Sequence, residues 1–208
     1  MKDKLYIKCK SCNFEKLFSK KGYSYFTKGN YNLNIIGIRS NQEHKVTNSY
    51  DDYLVVIYNT ETGWKRQIYT ITTQPGTATM LNPSNNKGTA ILVPSQYKGT
   101  YAIDKHQGKY KALCQRNKPV KVYRDNNRDK IYDYNVSSIE SGMFGINIHR
   151  SNEAYIRSTI DGYSAGCQVF NDPKEFNSFM TIVEKSAALY GNSFTYTLIT
   201  EDDINEME

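Results

Sequence analysis

Gly145-Ile146-Asn147-Ile148-His149 and, farther along, Ser164-Ala165-Gly166-Cys167 are the two stretches that decide how this chain folds and what chemistry it carries. Over residues 144–149 apolar side chains alternate with small or polar ones, and this period of two predicts a strand with one apolar face. The imidazole of His149 then lies on the polar face. The second stretch is a turn of small residues that ends in the thiol of Cys167. We therefore predict a cysteine nucleophile with a histidine base.

A strong helix signal follows the cysteine turn. Asp172 is suited to be the N-cap, Pro173 fits the first helical position, and Glu175 completes a capping box. Apolar residues then recur at helical spacing until Gly191 supplies a stop. We expect Cys167 to lie just before the N-terminus of this helix, where backbone N–H groups and the helix dipole favour a thiolate.

Most of the remaining chain predicts strands. Residues 13–21 favour a short amphipathic helix, and residues 59–63 carry a hairpin signal. Many short strands with turns between them, and one good late helix, indicate a β-rich α+β fold, either a sandwich or a barrel. The expected strands cover residues 33–38, 53–58, 64–72, 90–93, 100–103, 110–114 and 120–123.

The spacing of the histidine and the cysteine is specific. A Ser-x-Gly-Cys turn whose Cys167 stands 18 positions after His149 resembles the signature of the L,D-transpeptidase (YkuD-type) family, His-x(n)-Ser-His-Gly-Cys. The order of strand, loop, cysteine turn, helix and last strand, here at 193–199, is also similar to that family. Residues 87–89 and 99–103 resemble the Gly/Thr/Tyr-rich segment that precedes its catalytic strand.

The resemblance covers roughly residues 32–200, and residues 124–129 and 165–169 look most like phage-borne, divergent members of the group. It implies an L,D-transpeptidase-like mixed β-sandwich or barrel with one main helix after the catalytic cysteine turn. Residues 31–208 then form the catalytic domain, and residues 1–30 form an N-terminal appendage with a short helix and no independent domain.

The residue types of the turn suggest a role for each member. Cys167, deprotonated by His149, attacks the carbonyl of an acyl donor and forms a thioester. The N–H groups of Gly166 and Cys167 are expected to stabilise the oxyanion, and a side chain at position 166 would crowd the approaching carbonyl. Ser164 either holds the turn or hydrogen-bonds to His149.

Two positions depart from the family pattern. Ala165 stands where the family usually has a second histidine, and Gln168-Val169 replaces the usual hydrophobic residue followed by Arg or Asn. His106, in a polar loop before the catalytic strand, either lines the cleft and replaces that histidine or is a solvent-exposed loop residue.

Four residues are candidates for binding the substrate. Arg150 directly follows the predicted base, and it either clamps a peptide carboxylate or pairs structurally with Asp161 or a nearby acid. His106, Asn147 and Tyr163 complete this set.

By resemblance, the acyl donor is a peptidoglycan stem peptide that is cut between an L-centre and a D-amino acid. An amine acceptor would give transpeptidation, and water would give a peptidase; we favour hydrolysis by a phage-encoded cell-wall enzyme. The alternative is a catalytically inactive L,D-transpeptidase-like fold that serves as a virion structural or wall-binding protein, with other phage virion proteins as partners.

Composition restricts the partners. The chain has 208 residues, a formal net charge of +6 and 38% hydrophobic residues, which is typical of one globular domain. The basic charge would favour a polyanionic wall, but the lysines are scattered and no nucleic-acid-binding motif is present. No stretch approaches the ~20 apolar residues of a membrane helix. Residues 1–8 lack the apolar core of a signal peptide, so we expect a protein made in the cytoplasm that reaches the wall after lysis or within a phage virion.

We predict no cofactor and no catalytic metal, with two alternatives to test. Cys9-Lys10-Ser11-Cys12 has the spacing of half a zinc knuckle, although reduced surface or edge-strand thiols are the simpler interpretation, and Cys114 is expected to be buried in a strand. An acidic loop places oxygens at the alternate spacing of calcium loops, but it lacks their glycine and final glutamate, which also suits a solvated turn. The residues of this loop are Asp125, Asn127, Asp129 and Asp133.

Overall fold

The computed structural model describes residues 3–41 and 44–207. The helices are α1 (Lys4–Ser11), α2 (Phe14–Lys21), α3 (Thr77–Leu81), α4 (Pro173–Tyr190) and α5 (Glu201–Asn205), with a 3-10 turn at Val136–Ser138. The strands are β1 (Asn34–Arg39), β2 (Asp52–Tyr58), β3 (Lys65–Thr72), β4 (Thr89–Leu92), β5 (Ser95–His106), β6 (Tyr110–Gln115), β7 (Val120–Asp125), β8 (Glu140–Gly142), β9 (Ile148–Arg150), β10 (Gln168–Phe170) and β11 (Phe194–Thr200).

Eight of these strands close into a barrel in the order β1-β11-β5-β6-β9-β10-β3-β2, and β4, β7 and β8 form a separate sheet. The pairs β1/β11 and β9/β10 are parallel, and the other barrel pairs are antiparallel. The prediction of a β-rich fold with few helices is confirmed, and between sandwich and barrel the structure is a barrel.

Two apolar cores stabilise the barrel from opposite faces of its strands. In β2, Leu54 and Val56 belong to the main core, where they join Phe176 and Phe179 of α4. The alternate residues of the same strand, such as Val55, face a second core beneath α1 and α2. This alternation is why β2 reads as one continuous apolar run. The N-terminal helices therefore cover a barrel wall; the first two residues of the predicted appendage lie outside the described residues.

Local signals placed several elements correctly. α4 begins at Pro173 with Asp172 as its N-cap, and Gly191 ends it, as predicted. The predicted capping box is not what the cap shows: the Asp172 side chain accepts the N–H of Lys174, and the Glu175 carboxylate accepts the N–H of Thr70 on β3. α2 lies within the predicted residues 13–21. A turn in which Thr60 and Gly63 exchange backbone hydrogen bonds joins β2 to β3.

The strand predicted over residues 144–149 is wrong at its start. Only Ile148–Arg150 pairs as a strand, because Gly145 has a φ of +70° and the N–H groups of residues 144–146 all donate to one side chain. A strand needs those N–H groups for its ladder. The helices α1, α3 and α5 and the strand β10 were not predicted from the sequence.

Within the described ranges, no helix combines the length and the apolar character needed to cross a membrane.

Candidate active site

His149 is held by its backbone neighbour in β9. Its Nδ1 lies 2.8 Å from the carbonyl oxygen of Arg150 and 3.3 Å from the hydroxyl of Tyr110. Tyr110 also donates to the Arg150 carbonyl, at 2.9 Å. A carbonyl only accepts, so this network places the proton of a neutral imidazole on Nδ1 and leaves the lone pair on Nε2. This is the tautomer that a general base needs.

His106 is a second histidine of the site. It ends β5, and its ring stacks on the ring of His149 with centroids 3.9 Å apart and planes 16° apart. The side-chain amide nitrogen of Asn147 lies 3.0 Å from Nδ1 of His106. His106 is buried, with 7% of its surface exposed, so the prediction of a solvent-exposed loop residue is wrong.

Burial holds both imidazoles neutral. The pKa of His149 is lowered to about 3, mainly by burial and then by the adjacent His106, while the Arg150 carbonyl acts in the opposite direction. The pKa of His106 is also lowered, first by burial and then by the charges of Arg116 and Lys109. The base is therefore unprotonated at neutral pH.

Cys167 immediately precedes β10, and its side chain is partly exposed. The thiol donates to the carbonyl oxygen of Gly145 at 3.4 Å and accepts from the N–H of Asn147 at 3.4 Å. Burial of the sulfur raises the pKa of the thiol to about 11, although part of the residue is exposed; the Asn147 N–H opposes this shift and Cys114 adds to it.

The expected thiolate next to a helix N-terminus is therefore wrong. A strand, β10, lies between Cys167 and the helix α4, so the thiol lies outside the first turn, where the dipole acts. The Cys167 side chain is therefore a neutral thiol at neutral pH.

The parallel pair β9/β10 brings the cysteine and the base to neighbouring strands. Val169 is paired with His149, and Gln168 donates its N–H to the Asn147 carbonyl at 2.8 Å. In this register Cys167 lies opposite Asn147, whereas His149 lies two residues farther along β9. The backbone positions of Cys167 and His149 are therefore offset by about 7 Å along the strand direction. In this resting state the thiol donates to Gly145 and not to the imidazole.

Ser164 holds the cysteine turn. Its Oγ donates to the carbonyl of Cys167 at 2.9 Å and accepts from the N–H of Gly166 at 3.2 Å. Of the two alternatives for this serine, the structure shows the turn. The Gly166 N–H, which we predicted for the oxyanion, already has a partner.

Gly166 is required by the fold itself. It has a φ of +115°, and a Cβ there would lie 2.3 Å from the carbonyl oxygen of Ala90. A side chain at this position would therefore collide with the β4 backbone.

Gln115 is a site residue that the sequence did not reveal. Its Oε1 accepts the N–H groups of Phe144, Gly145 and Ile146 at 2.9–3.1 Å. Its Nε2 donates to the carbonyls of Lys118 and Gly142 at 3.1 and 2.9 Å. This buried amide fixes the backbone that carries the thiol's acceptor. In the sequence, the feature that could have indicated Gln115 is its polar side chain at the end of the apolar strand β6.

The predicted substrate-binding residues largely have protein partners. Arg150 pairs with a nearby acid, Glu153, at 2.8 Å, and its guanidinium lies 4.4 Å from the Tyr110 ring, so of its two alternatives the structure shows the structural ion pair. Asn147 is buried, and its Oδ1 accepts the Gln115 N–H at 2.9 Å. Its side-chain amide nitrogen contacts Nδ1 of His106, so both ends of the amide have protein partners.

Tyr163 keeps an accessible ring, with 39% of its surface exposed. The guanidinium of Arg157 lies 4.2 Å from the ring centroid and pairs with Asp161 at 3.4 Å. Of the four predicted substrate-binding residues, Tyr163 is thus the one classed as exposed.

A cavity of about 380 Å³ borders the cysteine turn at Ala165 and Ile146. Arg124 lies in its wall, paired with Glu140 at 2.9 Å and 4.7 Å from the ring centroid of Phe144. The other lining side chains are mostly neutral and polar, including Thr79, Asn82, Ser84, Asn85 and Thr89. A volume of this size suits a small ligand or a short peptide segment.

Neither metal alternative is supported. In the acidic loop, Asp125 accepts the Asp133 N–H at 2.8 Å, Asn127 donates to the Asp133 carboxylate at 2.9 Å, and Asp129 accepts the Ile131 N–H at 2.7 Å. These hydrogen bonds are those of a turn stabilised by Asp and Asn side chains, which was the alternative to a calcium site. Over residues 3–41 and 44–207, no group of three or more His, Cys, Asp or Glu side chains is arranged to hold a metal ion.

The remaining cysteines are free thiols. Cys9 and Cys12 are buried at the end of α1, which corrects the prediction of surface or edge-strand thiols. Cys114 is buried in β6, as predicted.

Together these features define a closed eight-stranded β-barrel with a neutral cysteine–histidine pair at one parallel strand junction. Comparisons with protein-family models, with curated proteins and with solved structures find no match to this chain.

Proposed function

We propose that this protein is a cysteine-dependent enzyme for acyl transfer or hydrolysis on peptidoglycan stem peptides, a phage-encoded cell-wall enzyme that acts after lysis or within a virion. The observation that carries the chemistry is the tautomer of His149: Nδ1 is fixed by the Arg150 carbonyl, which leaves Nε2 as a base on the strand next to Cys167. The stem-peptide substrate rests on the resemblance of the His149–Cys167 spacing to the L,D-transpeptidase family.

Acylation starts from the neutral pair. A thiol pKa of about 11 and an imidazole pKa of about 3 keep the resting proton on sulfur, so deprotonation accompanies attack. The thiol leaves its hydrogen bond with Gly145, gives its proton to Nε2 of His149, and its electron pair forms a bond to the acyl carbon. The carbonyl oxygen takes up the displaced π electrons, and we assign the Cys167 N–H as its donor, since the Gly166 N–H is bonded to Ser164.

Collapse of this intermediate breaks the C–N bond. The imidazolium gives its proton to the leaving amine, and a thioester remains on Cys167. Water or a second amine then attacks the thioester and gives a proton to His149. The C–S bond breaks, and the imidazolium returns that proton to the departing sulfur, which restores the neutral thiol. The cavity beside Ala165 is the proposed place for the peptide, because it opens next to the sulfur's own turn.

An inactive fold with a virion or wall-binding role is the second candidate. The observation that favours it is the resting thiol, which has a raised pKa and donates to Gly145 and not to His149.

Purified cell wall treated with wild type, Cys167→Ser and His149→Ala separates these candidates. We expect new muropeptides from the wild type only, identified by mass spectrometry, and a covalent adduct of a carbapenem on Cys167. Exchange products in the presence of an added D-amino acid would indicate transpeptidation, and shortened stems alone would indicate hydrolysis. If the wild type and Cys167→Ser leave identical wall fragments and no adduct forms, the enzyme proposal fails.

A further inference from the structure

A second groove lies at the far end of the barrel from Cys167. It has a volume of about 770 Å³ and is lined by residues of the β2–β3 hairpin, of the turn before β1 and of the end of α4. Its hairpin end is Lys65, the first residue of β3, whereas Thr72 at the other end of β3 pairs with Val169 beside the cysteine. Seven residues of strand separate the two ends, which is about 23 Å.

Tyr31 is held in this groove by an unusual backbone. Its φ is +55°, a conformation that a bulky residue rarely adopts. The N–H of Tyr31 donates to the Asn59 carbonyl at 2.9 Å, and the ring stacks on Tyr58 with centroids 5.3 Å apart and planes 23° apart. Lys185 of α4 lies 5.3 Å from the same ring. The surrounding contacts thus impose a strained conformation that fixes one aromatic ring in the groove wall.

The groove wall is neutral and rich in hydrogen-bonding groups. Thr60, Thr62 and Gln67 supply hydroxyls and an amide, and the Thr60 hydroxyl is oriented by the Gly63 carbonyl at 2.8 Å. Hydroxyls and amides donate and accept equally well. Glu61 and Lys65 contribute one charge of each sign.

This lining excludes several ligand classes by chemistry. A nucleic acid needs a cationic surface, and an apolar small molecule needs an apolar pocket. A protein interface needs an apolar centre, whereas Leu189, 59% exposed at the groove edge, is the one aliphatic residue in this lining. Aromatic rings beside neutral donors and acceptors match a ligand with apolar C–H faces and many hydroxyl groups.

We propose that this groove binds a neutral oligosaccharide, with the accessible part of the Tyr31 ring against the C–H groups of a sugar and the hydroxyl and amide side chains on its hydroxyl groups. The site is separate from Cys167, and it does not depend on the acyl-transfer activity.

The chain carries its own reporter for the test. Trp64 is the single tryptophan, it is 50% exposed, and it directly precedes Lys65 of the groove. Titration of the full-length Cys167→Ser protein with cellohexaose and with chitohexaose, followed by tryptophan fluorescence, measures binding without any turnover. We expect a saturable change with at least one of them, with a Kd near or below about 1 mM.

Tyr31→Asn is the decisive variant, because asparagine tolerates a positive φ and the substitution removes only the ring. It should weaken binding by about tenfold or more. Tyr155→Asn, at another exposed tyrosine, should bind like the parent. If Tyr31→Asn does not fold, as judged by circular dichroism, Gln67→Ala at an exposed position takes its place.

Three results would overturn the proposal. They are the absence of a saturable change with either oligosaccharide, equal binding by the parent and by folded Tyr31→Asn or Gln67→Ala, and a response to a polyanion such as heparin without a response to the neutral sugars. Because the Cys167→Ser protein is used, none of these results bears on the enzyme proposal.

Discussion

The imidazole rings of His106 and His149 stack with their centroids 3.9 Å apart and their planes 16° apart. Two buried rings in face contact cannot both carry a positive charge without strong repulsion. The pair is therefore neutral, and the stack also fixes the plane in which Nε2 of His149 presents its lone pair. The following predictions concern this pair and the residues that support it.

The first prediction is a flat pH–rate profile. Because His149 is neutral above a pKa of about 3 and the Cys167 thiol is protonated below a pKa of about 11, the reactive neutral pair persists across the neutral range. We expect the rate of carbapenem acylation to change by less than about threefold between about pH 5 and pH 9. Simple alkylation by iodoacetamide needs the thiolate, so its rate should rise about tenfold per pH unit over the same range. An acylation rate that rises with a midpoint near the ordinary histidine pKa would contradict the neutral pair.

The second prediction separates stacking from charge at His106. His106→Ala opens the packing against His149 to water and removes the ring whose protonation would oppose that of His149, so the pKa of His149 should rise toward its ordinary value and an acidic limb should appear in the rate profile. His106→Phe keeps an aromatic ring in place and should leave the low pKa largely unchanged, because burial is its main cause. The imidazole proton signals in an NMR titration report the pKa directly. Identical pH–rate profiles for His106→Ala and His106→Phe would show that the stacked ring does not maintain the low pKa of His149.

The third prediction concerns stability at acidic pH. The folded-state pKa of His149 is lowered to about 3, so the unfolded chain binds a proton that the folded chain rejects as the pH falls below the ordinary histidine value of 6.5. The neutral His149 therefore contributes stability that is present at neutral pH and lost on acidification through this window. The loss is up to about 1.4 kcal/mol per pH unit. Urea unfolding at several pH values should show a steeper fall for the wild type than for His149→Gln, which has no such group; parallel curves would contradict it.

The fourth prediction is that Gln115 supports both the fold and the site. Gln115→Ala leaves three N–H groups and two carbonyls without their partner, so the free energy of unfolding should fall by about 3 kcal/mol or more. The matched control is Gln67→Ala at an exposed position, which should change the stability by less than about 0.5 kcal/mol. Denaturant titration measures both. Equal effects of the two substitutions would show that the Gln115 network has no special role.

The fifth prediction compares two tyrosine hydroxyls. Tyr110→Phe removes the hydroxyl that contacts the Arg150 carbonyl and Nδ1 of His149, and it should lower the acylation rate by about tenfold, the effect of about one neutral hydrogen bond. Tyr101→Phe removes a buried hydroxyl that has no hydrogen-bond partner among the residues that the structure describes, so it should leave the rate unchanged and raise the stability by about 1 kcal/mol. Thermal unfolding and acylation kinetics check both. A Tyr110→Phe protein with full activity would exclude this hydroxyl from the positioning of the base.

Parts of the fold and the site were predictable because their signals are local. The caps of α4 and the hairpin between β2 and β3 depend on residues a few positions apart. The strand at 144–149 was predicted too long because Gln115, which takes its N–H groups, comes from another strand. The thiolate was predicted wrongly because β10, a three-residue strand without a sequence signal, separates Cys167 from α4.

By itself, the sequence determined a β-rich chain with one long helix, and it singled out His149 and Cys167, because periodicity and capping act over short separations along the chain. Only the tertiary structure decided that His106 stacks on the base and that the cysteine is a neutral thiol. The physical reason is that ring contacts and desolvation depend on strand neighbours, and barrel closure, not proximity in the sequence, makes β5, β6, β9 and β10 neighbours.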